Sequence, residues 1–122
     1  MAEVEKIVYI VTHGADDPER ATLPFVLANA SQAMDVEAVV VLQGSGVYLA
    51  TEGCLKHVYA AGLPPLKQLV DSFLEQGGKV LVCTPCIKER HIEESQLISG
   101  MVTTAAGNLV QEVLTAKASL VY

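Results

Sequence analysis

The sequence predicts an α/β fold: a single-domain, parallel five-stranded sheet with helices on both faces. Three observations predict it. Short apolar runs rich in β-branched residues recur along the chain, segments of helical period separate them, and 122 residues suit one core and not two. Strands that alternate with helices imply right-handed βαβ crossovers and hence a parallel sheet. No linker, repeat or low-complexity tract divides the chain, so the domain is expected to span residues 1–122.

The run from Lys6 to Thr12 (KIVYIVT) is nearly uninterrupted, as a strand covered on both faces should be. HGADDPER reads as a loop, with Asp17 as N-cap and Pro18 in the first helical position. Leu23, Leu27, Ala30 and Met34, spaced by 4, 3 and 4, are expected on the buried face of the helix that follows. Glu37 to Gln43 (EAVVVLQ) is the second strand, and GSGVYLATEG a loop holding a short helix around Val47 to Thr51. Pro64 and Pro65 open a helix whose Leu66, Leu69, Val70, Phe73 and Leu74 fit the helical repeat, and Gly77 and Gly78 stop it. KVLVC is the third strand. A helix starts near Pro85, and another is expected from Glu93 to Ser99, ended by Gly100. MVTT is the fourth strand. A helix over Ala105 to Ala116 carries Leu109, Val110, Val113 and Leu114 on one side, and SLVY is the fifth strand.

Composition excludes several functions. Hydrophobic residues make up 51% of the chain and the mean hydropathy is +0.37, yet no apolar stretch approaches a membrane span. The opening MAEVEKIVYIVTHG has acidic residues where a signal peptide has basic ones, so a cytoplasmic protein with no membrane partner is expected. The apolar surplus is then expected between subunits, with Val47, Tyr48, Val58 and Tyr59 as its carriers. A net charge of −6 and eight scattered Lys and Arg leave no basic face for nucleic acid. Three cysteines, an odd number, argue against a disulfide framework.

The chemistry concentrates in KVLVCTPCIKER, Lys79 to Arg90. A strand delivers Cys83 to the sheet's carboxyl edge, where open parallel sheets bind ligands, and the free N–H groups of a helix opening at Pro85 favour a thiolate. Lys88, Arg90 and His91 add positive potential. Against this stands a cysteine that merely packs at a strand end. The C-x-x-C spacing leaves three readings open. A dithiol pair is one, although the second proline and hairpin of a thioredoxin-like chain do not follow Cys86. A zinc site is another, but only Cys54, His57 and His91 are left to complete it, without recognised spacing. In the third, Cys83 works alone and Cys86 is a helix residue or, at most, a resolving thiol.

His13-Gly14 follows the first strand and Gly44-Ser45-Gly46 the second, so all four candidate positions His13, Gly14, Gly44 and Ser45 are expected to border the pocket. If the strand order is the flavodoxin-like 2-1-3-4-5, His13 and Cys83 stand on opposite lips of one crevice. The bland readings are a histidine that caps its loop and a glycine pair that makes a turn. Asp16-Asp17 and Glu93-Glu94 read as helix starts.

These residues resemble the DsrE/DsrF/TusD-like sulfur-relay family along essentially the whole chain. IVYIVTHGADDPERATLPFVLANAS is similar to its first strand, its G-x-D-D-P-x-R-A loop and first helix; VEAVVVLQGSGVYLA to its second strand and G-V-x-L-A turn; GGKVLVCTPCIKERHI to its strand ending in a reactive cysteine. The resemblance implies that Cys83, not Cys86, is the working cysteine, carrying sulfane sulfur as a persulfide from a sulfur-donor protein to a sulfur-acceptor protein. It also implies trimers or hexamers of like or paralogous subunits, no metal and no cofactor. This chain departs from the pattern in having Cys86, and His91 where a glycine is common. Two other functions stay open beside sulfur transfer: a dithiol/disulfide oxidoreductase using Cys83 and Cys86, and a non-catalytic subunit of a hetero-oligomer.

Overall fold

The computed structural model describes residues 4–122; Met1 to Glu3, on which the reading of the N-terminus partly rests, lie outside it. Five strands, β1 (Lys6–Val11), β2 (Glu37–Leu42), β3 (Lys79–Cys83), β4 (Met101–Thr104) and β5 (Ala118–Val121), form one wholly parallel sheet. The expected class is therefore the observed one. The strand order is β4-β3-β2-β1-β5, however, and not 2-1-3-4-5. β1 and β2 are almost equally apolar, so hydropathy gave no means of deciding which of them neighbours β3.

This order explains the layering. Right-handed crossovers that step from β1 to β4 in one direction put their connections on one face, and the return to β5 puts the last helix on the other. The first face holds α1 (Pro18–Ala33), α2 (Glu52–Leu55), α3 (Leu66–Glu75) and α4 (Thr84–Glu89) over Tyr9, Val11, Val40, Leu42, Val80 and Val82. Among the described residues the second holds only α5 (Ala106–Leu114), whose Leu109 and Val113 cover Val8, Val39, Val41 and Leu81. β5 is an edge strand, exposed along its whole length.

Local signals placed most helix ends. The Asp17 carboxylate accepts from the Arg20 N–H at 3.1 Å and Pro18 occupies the first turn of α1. α3 starts just after Pro65 and buries Leu66, Val70 and Phe73. Phe73 meets Phe25 of α1 edge-to-face, centroids 6.1 Å apart, a pairing worth about 1 kcal/mol beyond its burial.

Four expectations need correction. The face α1 buries is Ala21, Thr22, Pro24, Phe25, Ala28 and Ser31; Leu23 and Leu27 are half-buried and Met34 exposed. Apolar residues ring this helix, so spacing alone picks no face, and small residues win because α1 must approach the sheet closely. The helix expected over Glu93–Ser99 is a single 3-10 turn, Glu94–Gln96. The Ile98 N–H goes to the Ala50 carbonyl and Leu97 bridges Thr51, so long-range pairing takes the hydrogen bonds a helix would use. Val47 and Val58 are core residues, leaving only Tyr48 and Tyr59 of that group exposed. On α5, Val110 and Leu114 are exposed and not part of the covered stripe.

Candidate functional site

β3 runs straight into α4, and Cys83 is both the last strand residue and the helix N-cap. Strand alternation turns its side chain, like that of Leu81, toward the α5 side of the sheet, beside Thr104 of β4, while at the strand's end it also touches the main core. There it lines a cavity of about 80 Å³ with Val41, Pro85, Thr104, Ala105, Ala106 and Leu109. The walls are mostly apolar. Cys83 is half-buried and its thiol is free.

Cys86 occupies the third position of α4 and is also free and half-buried. The N-cap and third positions of a helix face each other, which is the geometry of a capping box. Cys86 is accordingly close enough to perturb the Cys83 thiol, although the Cys83 side chain caps no N–H of the helix. A third element completes the group. From the loop after β2, the Gly44 N–H donates to Cys86 Sγ at 3.3 Å. Gly44 holds a left-handed φ of 53°, which a side chain would make costly. Gly46, two residues on in the 3-10 turn Gly44–Ala50, has no alternative residue: a Cβ there would lie 2.1 Å from the Val11 carbonyl oxygen. That contact seats the turn on the carboxyl end of β1 and so holds the Gly44 amide over Cys86.

Electrostatics at Cys83 differ from the sequence expectation. Burial pushes its thiol above the usual 9.0, and contact with the Cys86 thiol adds to the rise. The Cys86 N–H and the Arg90 charge pull the other way without reversing it. The short helix α4 thus does not produce a low-pKa thiol in the resting chain. Arg90 is turned into the site: its Nη1 donates to the Cys86 carbonyl at 3.2 Å and its guanidinium lies 5.8 Å from the Tyr48 ring centroid. Lys88, in the last turn of α4, is exposed, with no hydrogen bond to either cysteine among the described residues.

The strand order separates the other candidates. β2 lies between β1 and β3, so His13 and Cys83 are not on facing lips of a crevice. The order reverses between β1 and β5, and Tyr122 fills that place: its carbonyl accepts from the Thr12 N–H at 2.8 Å and the Thr12 hydroxyl at 2.7 Å. His13 Nδ1 pairs with Asp16 Oδ2 at 2.7 Å, while Asp16 Oδ1 accepts the Gly14 N–H at 2.7 Å. Those bonds hold the Asp16 carboxyl below its usual value, with His13 the chief cause. His13 is thus a loop cap. Gly14 and Ser45 touch, the Ser45 carbonyl lying 3.0 Å from where a Gly14 Cβ would be. They link the β1 and β2 loops but do not reach Cys83.

Among the described residues, no three His, Cys, Asp or Glu side chains are grouped to hold a metal. Cys54 packs against the main core, and His57 and His91 are exposed. A groove of about 580 Å³ lies by α3, lined by Lys56, Tyr59, Pro65, Lys67, Asp71 and Glu75, and has no candidate residue in it. Sequence reasoning named Gly46 only within a turn and Tyr48 only as a subunit contact, and it missed the Thr104–Ala106 wall. Only Gly46 left a signal, as the second glycine of a G-S-G after a strand.

Comparison with known proteins adds the family. The model of the DsrE/DsrF-like family matches residues 5–122. The chain belongs to that family. Uncharacterized protein MJ0760 of Methanocaldococcus jannaschii is 27% identical over 106 residues, 87% of this chain but only 38% of MJ0760, so the chain spans less than half that relative's length. Uncharacterized protein MJ0989 of the same organism is 29% identical over 105 residues, 86% of this chain and 89% of that one. Among solved structures the ychN protein from E. coli superposes with a TM-score of 0.76 at 20% identity, covering 98% of this chain and 100% of its own. At that identity the likeness speaks for the fold alone, and the DsrE/DsrF-like chain shares it nearly end to end. Among the described residues no helix is long and apolar enough to cross a membrane.

Proposed function

We propose that this chain is a cytoplasmic sulfur carrier: Cys83 accepts sulfane sulfur from a donor protein, holds it as a persulfide and passes it to an acceptor protein. Membership of the DsrE/DsrF-like family supports a role of the sulfur-relay type. The observation that carries the finer reading is the position of Cys83, half-buried at the carboxyl end of β3 with its sulfur beside a small apolar cavity. Sulfane sulfur is soft and weakly hydrated, and apolar walls suit it better than they suit an oxyanion.

The raised thiol fits a carrier better than a fast exchange catalyst. Exchange needs the thiolate, so a protonated Cys83 is inert toward casual disulfides. Once deprotonated, a thiol of high pKa is the stronger nucleophile toward a donor's sulfur. It is also a poor leaving group, so attack on the outer sulfur is slow unless a docked acceptor assists the departure of the Cys83 thiolate. Arg90 supplies the nearby cation for the charge on the terminal sulfur.

The test is intact mass after exposure to thiosulfate, polysulfide or a cysteine-desulfurase system. One added sulfur is expected, absent in Cys83→Ser; added sulfur that survives the substitution, or none at all, ends the proposal. A second reading, a dithiol oxidoreductase, draws on the placing of two free thiols at one end of α4. It requires reduction of insulin disulfides that either cysteine substitution abolishes. Assembly into a trimer or hexamer of like or paralogous subunits is part of the proposal, supported by the exposed Val110, Leu114 and Val121 on the α5 side. Light scattering that gives a 13.0 kDa particle would contradict it.

A further inference from the structure

We infer that Cys86 is a second working thiol of this site: it displaces the outer sulfur of a Cys83 persulfide as hydrosulfide and closes a Cys83–Cys86 disulfide. The inference rests on the persulfide reading and gives the bound sulfur an exit that needs no acceptor protein.

Three features of the structure carry it. Cys83 and Cys86 stand at the N-cap and third positions of α4, one turn apart at the same helix end, and Cys86 is near enough to shift the Cys83 thiol. Both are free thiols and half-buried. Cys86 has an amide of its own, the Gly44 N–H at 3.3 Å, brought from another strand by a residue in the left-handed region. A donor aimed at a sulfur stabilises negative charge as it develops there. A cysteine that only filled space would have no use for one.

The step balances within the site. Cys86 Sγ attacks Cys83 Sγ of the anionic persulfide; the Sγ–Sγ bond forms as the bond from Cys83 Sγ to the outer sulfur breaks. The outer sulfur departs with the bonding electron pair and takes the proton that Cys86 gives up, leaving as hydrosulfide. The sulfane sulfur is thereby reduced to sulfide, and the two thiols together are oxidised to the disulfide. An external dithiol returns the pair to thiols by exchange.

Leaving-group chemistry selects this direction. Attack on the outer sulfur would expel the Cys83 thiolate, whose conjugate acid burial has weakened. Hydrosulfide comes from a stronger acid and leaves in preference. A docked acceptor protein must therefore outpace Cys86, so relay and sulfide release compete for one persulfide.

The experiment uses the full chain in a Cys54→Ser background, so that any internal disulfide joins Cys83 to Cys86. The protein is loaded with inorganic polysulfide, desalted without reductant, and followed by intact mass and hydrosulfide assay. The expected course is loss of the added sulfur, appearance of a species lighter than the unloaded chain by two hydrogens, and one hydrosulfide released per disulfide formed. With Cys86→Ser added, the extra sulfur stays and hydrosulfide release is lost. The disulfide and hydrosulfide are read on the variant that retains both thiols, so the answer does not depend on Cys86→Ser folding. Stable retention of the sulfur with Cys86 present, and no disulfide, overturns the inference and leaves the persulfide reading standing. Failure of both variants to take up sulfur overturns the reading itself, and the inference with it.

Discussion

On one face of the sheet Phe25 of α1 and Leu66, Val70 and Phe73 of α3 are fully buried; on the other, α5 is the one covering helix among the described residues, lying over Val8, Val39, Val41 and Leu81 and leaving Val102, Val110, Leu114 and Val121 exposed. The candidate site lies where these two faces meet. Cys86 and its Gly44 donor belong to the dense side, held by the 3-10 turn packed on β1, whereas Cys83 opens toward the cavity under the start of α5. A dense layer fixes geometry, and a thin one admits a reagent. Stability and access are thus divided between the two sides of one sheet instead of competing at a single place.

The sharpest way to break this comparison is to truncate one apolar side chain on each side, a ring on the dense side and a leucine on the thin one. Phe73→Ala takes a fully buried ring out from against Phe25 and should cost about 3–5 kcal/mol in denaturant unfolding. Leu109→Ala, in the half-covered α5, should cost only about 1–2 kcal/mol, because part of that side chain is already in water. It should also widen the cavity and speed alkylation of Cys83. Similar costs for both would mean that the α5 side is as tightly built as the other.

Gly46→Ala tests the join between turn and sheet. A Cβ 2.1 Å from a backbone oxygen forces the whole turn to move, at about 3 kcal/mol. The amide of Gly44 should move with it, so the variant should alter Cys86 reactivity at a distance, measured by alkylation followed by mass spectrometry.

A smaller effect is expected at the foot of α5, where Glu112 accepts from Lys6 at 2.8 Å and from Lys79. Burial alone would raise the Glu112 carboxyl, but the two ammonium groups together hold it below its usual 4.5. A folded-state value below the unfolded one adds stability that is complete above about pH 4.5 and is lost as pH falls through the folded value. Glu112→Gln should therefore cost about 1 kcal/mol at pH 7, with the gap to the parent chain closing in acid. A gap that widened below pH 4.5 would reverse the assignment.

How legible these regions were in the sequence follows the range of the interactions that made them. Asp17 with Pro18, Pro65 before α3, and the apolar run of β2 are short-range signals and each placed its element. The 3-10 turn at Glu94–Gln96 was read as a helix because the bond that ends it, Ile98 N–H to the Ala50 carbonyl, spans nearly fifty residues. The order of β1 and β2 was illegible for the same reason, and the His13–Cys83 crevice fell with it. At the site, Cys83 and Cys86 were visible as a spacing on one segment. The Gly44 amide over Cys86 and the Tyr48 ring beside Arg90 come from another segment, and only the fold brings them there.

The smallest expected effect is at the end of α4, where one residue joins the dense side to the chain leading toward β4. His91 has a φ of 56°, in the left-handed region, directly after the helix C-cap Arg90. Its N–H still closes a turn to the Lys88 carbonyl, and the Ile92 N–H reaches back to Ile87 at 2.9 Å, the pattern that ends helices on glycine. A side chain with a Cβ pays about 1 kcal/mol for this conformation, and histidine, exposed here, has no compensating partner among the described residues. His91→Gly should therefore stabilise the chain by about 0.5–1 kcal/mol, part of the gain being lost to the freer unfolded state. Uptake of sulfur at Cys83 should not change, since His91 touches neither thiol. A destabilised His91→Gly chain would show that the imidazole is held by something stronger than the strain of its backbone.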